Sequence, residues 1–72
     1  MFEIDLYQLR KARRASRFST GEVARRLGKD RSTVWRYEHG QIKPAASTLF
    51  LLAELYGVTV DILCHRPEGT ER

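Results

Sequence analysis

The side chains best suited to chemistry lie in one stretch, residues 31–39, whose spacing predicts a short helix. At about 100° per residue, from 3.6 residues per turn, Thr33, Val34 and Tyr37 fall on one side of that helix. The other side carries two guanidinium groups, a hydroxyl, an indole and an imidazole, from Arg31, Ser32, Trp35, Arg36 and His39. Arginine can bond the major-groove edge of guanine with both arms of its fork, and serine can reach several bases or a phosphate. We therefore predict that this face contacts nucleic acid.

The residues just before this stretch predict a second helix, over residues 19–27, that would hold the first in position. Ser19 and Glu22 have the spacing of a capping box, in which each side chain bonds the backbone N–H of the other residue. Phe18 and Val23 stand one residue before the cap and four after it, where a hydrophobic staple packs. These signals together predict two short helices joined by a tight turn.

Turn and cap residues separate the predicted helices. Gly28 ends the helix over 19–27, Asp30 is placed to cap the next one, and Gly40 ends it. Three more helices are predicted: residues 5–15 with Asp5 as cap, residues 45–56 ended by Gly57, and residues 60–64 with Thr59 as cap. No stretch alternates as a β-strand does, so the chain is predicted to be all-α.

This pattern resembles the helix-turn-helix of phage repressor and Cro proteins, the Xre-type DNA-binding family. The resemblance runs from Asp5 to about Leu63. It is carried by Ser19, Glu22, Ala24, Leu27-Gly28, Arg31-Ser32-Thr33, Arg36, Glu38, Gly40, Pro44, Thr48-Leu49, Leu52-Ala53 and Gly57-Val58. It implies a five-helix lambda-repressor-like domain over residues 1–64. Residues 65–72 show no periodicity, and we predict that they form a disordered tail.

The resemblance also implies roles for individual residues. Arg31, Ser32 and Arg36 stand where this family reads bases, and Trp35 between them could contact a thymine methyl or a sugar. Four further residues are expected at the DNA backbone, namely Thr20, Lys29, His39 and Lys43. Thr20 stands where the family often has a phosphate-binding glutamine, and its hydroxyl is shorter.

Arg13 is predicted to face inward, because it shares helical spacing with Leu6, Leu9 and Ala12. A buried guanidinium needs a partner. The resemblance implies that this partner is Glu38, near the end of the base-reading helix, in a structural ion pair. The other cations of the first helix and its turn are expected to face solvent, some of them near the DNA backbone: Arg10, Lys11, Arg14 and Arg17.

Positive charge is concentrated around the predicted helix pair. Residues 10–43 hold eleven Lys and Arg against three Asp and Glu, a net of +8. Residues 1–9 and 44–72 each carry −2, which brings the whole chain to +4. A basic surface beside a candidate reading helix is the electrostatic footprint of a phosphate backbone. The alternative, a basic face kept only for solubility, would be expected to carry more interspersed acidic residues.

Size and composition argue against several other classes of protein. A chain of 72 residues is one small domain, and domains of about 60 residues bury only ~60% of their unfolded surface. A deep catalytic pocket is therefore not expected, and the chain is predicted not to be an enzyme and to need no cofactor. Cys64, His39 and His65 lack the spacing of a metal site, and one cysteine cannot form an internal disulfide. With no signal peptide and no long apolar run, a cytoplasmic location is expected, on the nucleoid when DNA-bound.

Two classes of function remain open. The first is a sequence-specific regulator that binds double-stranded DNA: a repressor, a Cro-like switch, or an antitoxin that represses its own promoter. It would bind a palindromic operator as a homodimer, and Val60, Ile62 and Cys64 would supply the apolar contacts between copies. The second is a protein-interaction module with Trp35 at its centre. RNA binding is less favoured, because an aromatic stacking platform is missing.

Overall fold

The computed structural model of the chain describes residues 2–65, which form five helices and one pair of very short strands. The order is β1 (Glu3–Ile4), α1 (Leu6–Ala15), α2 (Thr20–Leu27), α3 (Arg31–Glu38), α4 (Ala46–Tyr56), α5 (Val60–Leu63) and β2 (Cys64–His65). The predicted all-α fold with five helices and a helix-turn-helix is confirmed. The predicted disorder of residues 66–72 lies outside the described residues.

The two strands correct the expectation that the chain contains no β-structure. Glu3 pairs with His65 and Ile4 with Cys64, antiparallel, so His65 belongs to the fold rather than to the predicted tail. The backbone N–H of Asp5 continues the pairing by donating to the carbonyl of Leu63 at 2.9 Å. Two-residue strands are too short to show alternation. Their pairing depends on the two ends of the fold meeting in space.

The first two helices begin as their cap residues predict. Asp5 accepts a hydrogen bond from the Gln8 backbone N–H at 3.1 Å. Ser19 Oγ accepts from the Glu22 N–H at 3.1 Å, and Glu22 Oε1 accepts from the Ser19 N–H at 3.1 Å. This reciprocal capping box satisfies N–H groups that the first turn of α2 leaves unpaired. Gly28 ends α2 in the left-handed conformation, at φ 71°.

The start of α3 is weaker than predicted, and its end is tightly packed. Asp30 occupies the N-cap position in an extended conformation, but its side chain makes no cap hydrogen bond. The helix ends at Glu38, one residue earlier than predicted, and His39 is its C-cap. Gly40 follows at φ 72°, where a Cβ would stand 3.0 Å from Leu6 Cδ1. Only glycine fits there without strain.

Every helix contributes at least one fully buried side chain to a single core. The largest are Leu9 of α1, Val23 of α2, Val34 of α3, Leu49 and Leu52 of α4, and Leu63 of α5. Helix α1 touches α3, α4 and α5, so it packs against α3 from the core side. Within residues 2–65, no helix is both long enough and apolar enough to cross a bilayer.

Tyr56, at the end of α4, has a buried hydroxyl without a hydrogen-bond partner in the described part of the chain. Burial raises the pKa of this phenol above its ordinary value, and the nearby carboxylate of Glu38 raises it further. Both effects disfavour the phenolate in the folded state. The neutral hydroxyl is itself costly, because a buried donor without an acceptor loses its hydration.

We expect Tyr56→Phe to leave the domain at least as stable at neutral pH, because it removes a hydroxyl that has no partner. In the unfolded state a tyrosine ionises at a pKa of about 10, whereas folding raises the pKa of Tyr56. The free energy of unfolding is therefore unaffected by this group below about pH 10 and falls as pH rises beyond it. Denaturant unfolding at pH 7 and above pH 10 should therefore show a smaller alkaline loss in Tyr56→Phe. Tyr7→Phe is the matched control, because Tyr7 is 62% exposed. Equal alkaline losses in both variants would contradict the expectation.

Candidate nucleic-acid interface

Helices α2 and α3 form the predicted pair, with a tight turn of residues 28–30 between them. The N–H of Lys29 donates to the carbonyl of Ala24 at 2.8 Å and fixes the exit from α2. Val23 and Ala24 of α2 are buried, as is Val34 of α3. The two helices pack more extensively on each other than any other pair in the described fold. They are therefore placed as one unit.

The two faces of α3 differ as the helical spacing predicts. Val34 and Tyr37 are buried and Thr33 is half-buried, as the spacing predicts. Glu38, which the spacing did not place, is also buried and only 2% exposed. The five residues predicted to face outward are all exposed: Arg31, Ser32, Trp35, Arg36 and His39. Neither Arg31 nor Arg36 forms an ion pair with any other residue between 2 and 65. Both guanidinium groups are therefore available to a partner molecule.

Trp35 and His39 form a stacked pair on the exposed face of α3. Their ring centroids lie 3.9 Å apart and their planes meet at 18°. His39 Nδ1 lies 2.8 Å from the Trp35 carbonyl oxygen, and since a carbonyl only accepts, Nδ1 carries the hydrogen. The stack holds the half-exposed indole in one orientation and leaves Nε2 of His39 for another contact. The i, i+4 spacing of the two residues was the available sequence signal for this contact.

Arg31 is positioned by the first turn of α2. Its Cδ atom lies 3.6 Å from the place where a Cβ would stand on Gly21. The aliphatic part of the arginine therefore runs across the start of α2 before the guanidinium reaches solvent. A small residue at Gly21 leaves room for this path. No short sequence pattern marks Gly21, because its contact crosses from one helix to the next.

The four residues predicted to meet a DNA backbone differ in their surroundings. Thr20 begins α2 and is half-buried, Lys29 is exposed in the turn, and His39 belongs to the aromatic stack. Lys43 points toward the N-terminal segment instead of standing free. Its ammonium group donates to the carbonyl of Phe2 and lies 4.3 Å from the centre of the Phe2 ring. Phe2 carries no sequence signal for this contact.

Comparison with protein families decides the class of the chain. A family model described as a helix-turn-helix domain matches residues 7–63. This chain belongs to the helix-turn-helix domain family. No curated protein matches the chain at a significant level. Membership of this family supports a DNA-binding function, and the matched range includes the whole of α1 to α5 apart from Leu6.

The helix-turn-helix domain contains the ion pair that the resemblance implied between Arg13 and Glu38. Arg13 Nε lies 2.6 Å from Glu38 Oε2, and Arg13 Nη2 lies 3.1 Å from Oε1. The third nitrogen, Nη1, donates to the carbonyl of Phe18 at 3.0 Å. Hydrogen bonding to Glu38 raises the pKa of the Arg13 guanidinium. One side chain thus joins α1, the loop before α2, and the end of α3.

Arg10 corrects another expectation, because it was predicted to face solvent. Its Nη1 donates to the backbone carbonyl of Glu38 at 2.7 Å. The last carbonyls of a helix have no partner within the helix and carry partial negative charge, so a cation is favoured there. Arg10 and Arg13 together fasten the end of α3 to α1.

Within residues 2–65, no three His, Cys, Asp or Glu side chains group as they would to hold a metal ion.

Proposed function

We propose that this chain is a sequence-specific regulator of transcription that binds double-stranded DNA, of the phage repressor and Cro-like (Xre) type, and acts as a repressor. Helix α3 lies in the major groove and α2 crosses the backbone, as in other helix-turn-helix proteins. The observation that carries this proposal is the division of α3. Arg31 and Arg36 are exposed and have no ion-pair partner in the described residues, while Val34 and Glu38 are buried.

Each side chain expected to touch DNA has a place in the proposed complex. Arg31, Ser32, Trp35 and Arg36 read base edges, and the indole of Trp35 suits a thymine methyl. Thr20, Lys29, His39 and Lys43 contact the DNA backbone and set the register without reading sequence. Residues 10–43 carry a net charge of +8, which favours approach to the phosphates.

A homodimer on a palindromic operator completes the proposal. One copy of α3 offers only a few base contacts, whereas two copies on half-sites about 34 Å apart double them. Such a regulator would act in the cytoplasm, on the nucleoid. An antitoxin that represses its own promoter would use the same DNA-binding surface, with a second protein bound elsewhere.

A protein-interaction module is the alternative function. It is favoured by the stack of Trp35 on His39, because a large aromatic ring held in one orientation is also suited to anchoring a protein partner. The two functions differ in their dependence on salt. Binding to phosphates releases counterions and weakens steeply as salt rises, whereas an aromatic anchor in a protein interface does not.

We expect the logarithm of the DNA association constant to fall linearly with the logarithm of the salt concentration. The slope should be about −0.9 for each phosphate that the protein neutralises. Lys29→Ala should make this slope shallower by about 1, on every DNA sequence alike. Lys11→Ala is the matched control, because Lys11 lies over the Tyr7 ring on α1. Fluorescence anisotropy of a labelled duplex across a salt series measures both slopes. Absence of DNA binding at low salt would instead support the protein-interaction module.

A further inference from the structure

Helix α4 carries large apolar side chains on both of its faces, although the domain covers only one of them. Leu49, Leu52 and Tyr56 point into the core. On the outer face, the adjacent side chains Phe50 and Leu51 are 61% and 51% exposed. Single exposed apolar side chains are ordinary, whereas contiguous ones often mark an interaction surface. This outer face therefore has the composition of a surface that a second molecule covers.

A pocket lies beside this face, between α4 and the end of α2. It has a volume of about 180 Å³ and is lined by Arg26, Leu27, Leu51, Glu54 and Leu55. We call it the leucine pocket. A cavity of about 150 Å³ with apolar walls is large enough to bind benzene. The leucine pocket is therefore of a size to accept one phenyl ring. Phe50, the residue before the pocket residue Leu51 on α4, presents an exposed phenyl ring.

The rim of the leucine pocket carries both signs of charge. Arg26 and Glu54 are exposed there, and neither forms an ion pair within residues 2–65. The guanidinium carbon of Arg26 lies 4.9 Å from the centre of the Phe18 ring, which holds this cation at the rim. A surface that holds a projecting ring, a pocket for a ring, a cation and an anion can be complementary to itself. Two-fold symmetry brings the same surface of two copies together. The ring of each copy can then face the pocket of the other, and the cation of each copy can face the anion of the other.

We propose that a second copy of this chain docks on the outer face of α4. Phe50 of each copy enters the leucine pocket of the other, and Arg26 of each copy lies against Glu54 of the other. This inference rests on the proposed homodimer and names its interface. The surface shares no residue with the exposed face of α3.

The proposed interface differs from the one expected on α5. Val60 is half-buried against the core, and so is Cys64. Cys64 Sγ donates to the carbonyl of Val60 at 3.2 Å, and burial raises the pKa of the thiol. Of the three residues expected to supply the dimer contact, only Ile62 is substantially exposed, at 45%. Helix α5 therefore offers one exposed apolar side chain, and α4 offers two beside a pocket.

Sedimentation without DNA separates this interface from the DNA-binding proposal. We expect the wild-type chain to dimerise reversibly, and Phe50→Ser to raise the dimer dissociation constant at least about 30-fold, as loss of a central aromatic contact does. Ile62→Ser is the matched control and should leave it within a few-fold. A wild-type chain that stays monomeric up to millimolar concentration overturns the inference. So does a dimer that Ile62→Ser disrupts and Phe50→Ser does not.

Charge reversal tests the pairing of the two copies. Arg26→Glu and Glu54→Arg each place like charges opposite one another, and each variant alone is expected to dimerise at least about tenfold more weakly than wild type. Mixed together, they restore both opposite-charge pairs in a heterodimer, so the mixture should sediment as dimer. Circular dichroism checks that each variant is folded. The proposed pairing is overturned if either single variant dimerises as tightly as wild type. It is also overturned if mixing the two variants does not increase the fraction of dimer.

Discussion

Replacing Glu38 by alanine is expected to lower the free energy of unfolding by about 3 kcal/mol. The carboxylate is almost fully buried and holds both Nε and Nη2 of Arg13. Its removal leaves a guanidinium in the interior without its counter-charge, which typically costs ~3–5 kcal/mol. The lower end applies because Arg13 keeps 15% of its side chain exposed and can partly rehydrate. Denaturant unfolding followed by circular dichroism measures the change.

Two further variants separate the ion pair from the other bonds at the end of α3. Arg13→Ala, made alone and in the Glu38→Ala background, completes a double-mutant cycle, and the two residues should show a coupling energy above about 1 kcal/mol. Arg10→Ala removes the hydrogen bond to the Glu38 carbonyl but leaves no buried charge unpaired, so it should cost less than Glu38→Ala, about 1.5 kcal/mol. Wild-type stability of Glu38→Ala would show that the pair does not hold α3 in place.

Arg31→Ala and Arg36→Ala are expected to reduce discrimination between operator and random DNA by about 1–3 kcal/mol each. This corresponds to a roughly 5- to 150-fold loss of specificity at 25 °C. The physical reason is that a guanidinium group forms two hydrogen bonds to guanine, which no other base edge reproduces. Anisotropy titrations on an operator duplex and on a shuffled duplex give both affinities for each variant.

Lys29→Ala is the control for these arginine variants. Lys29 is exposed in the turn between α2 and α3, and we propose that it contacts phosphate. Its loss should weaken binding to operator and shuffled duplex by the same factor, so specificity is unchanged. Lys43 is a poorer control, because its replacement also breaks the contact with Phe2. Equal losses on both duplexes for Arg31→Ala and Arg36→Ala would remove these residues from the base-reading set.

The helices could be predicted from sequence because their signals are local. The capping box of Ser19 and Glu22 lies within four residues, and the glycines at 28 and 57 end helices in the left-handed conformation that glycine favours. The division of α3 into a buried and an exposed face also follows from spacing alone. The predicted boundary between the domain and its tail missed His65, because His65 pairs with Glu3 at the other end of the described chain.

The contacts that were missed join residues far apart in the chain. Arg10 reaches the carbonyl of Glu38 over 28 positions, and Lys43 reaches Phe2 over 41. Arg10 is one of several cations of α1 that the helical period allows to face solvent, so the period cannot select it, and Lys43 lies in a loop where no period applies. The inward position of Arg13 was predicted from the helical period, but its partner came from a family resemblance. Long-range polar pairing of this kind depends on packing that no short sequence pattern encodes.

Selection from random duplex DNA tests most directly whether the exposed face of α3 reads DNA sequence. The wild-type chain at low salt is predicted to enrich a short palindromic motif. A variant with both Arg31→Ala and Arg36→Ala, folded by circular dichroism, should enrich none while still binding DNA weakly. Wild-type protein that enriches no sequence at low salt, or the double variant enriching the same motif, would contradict the account.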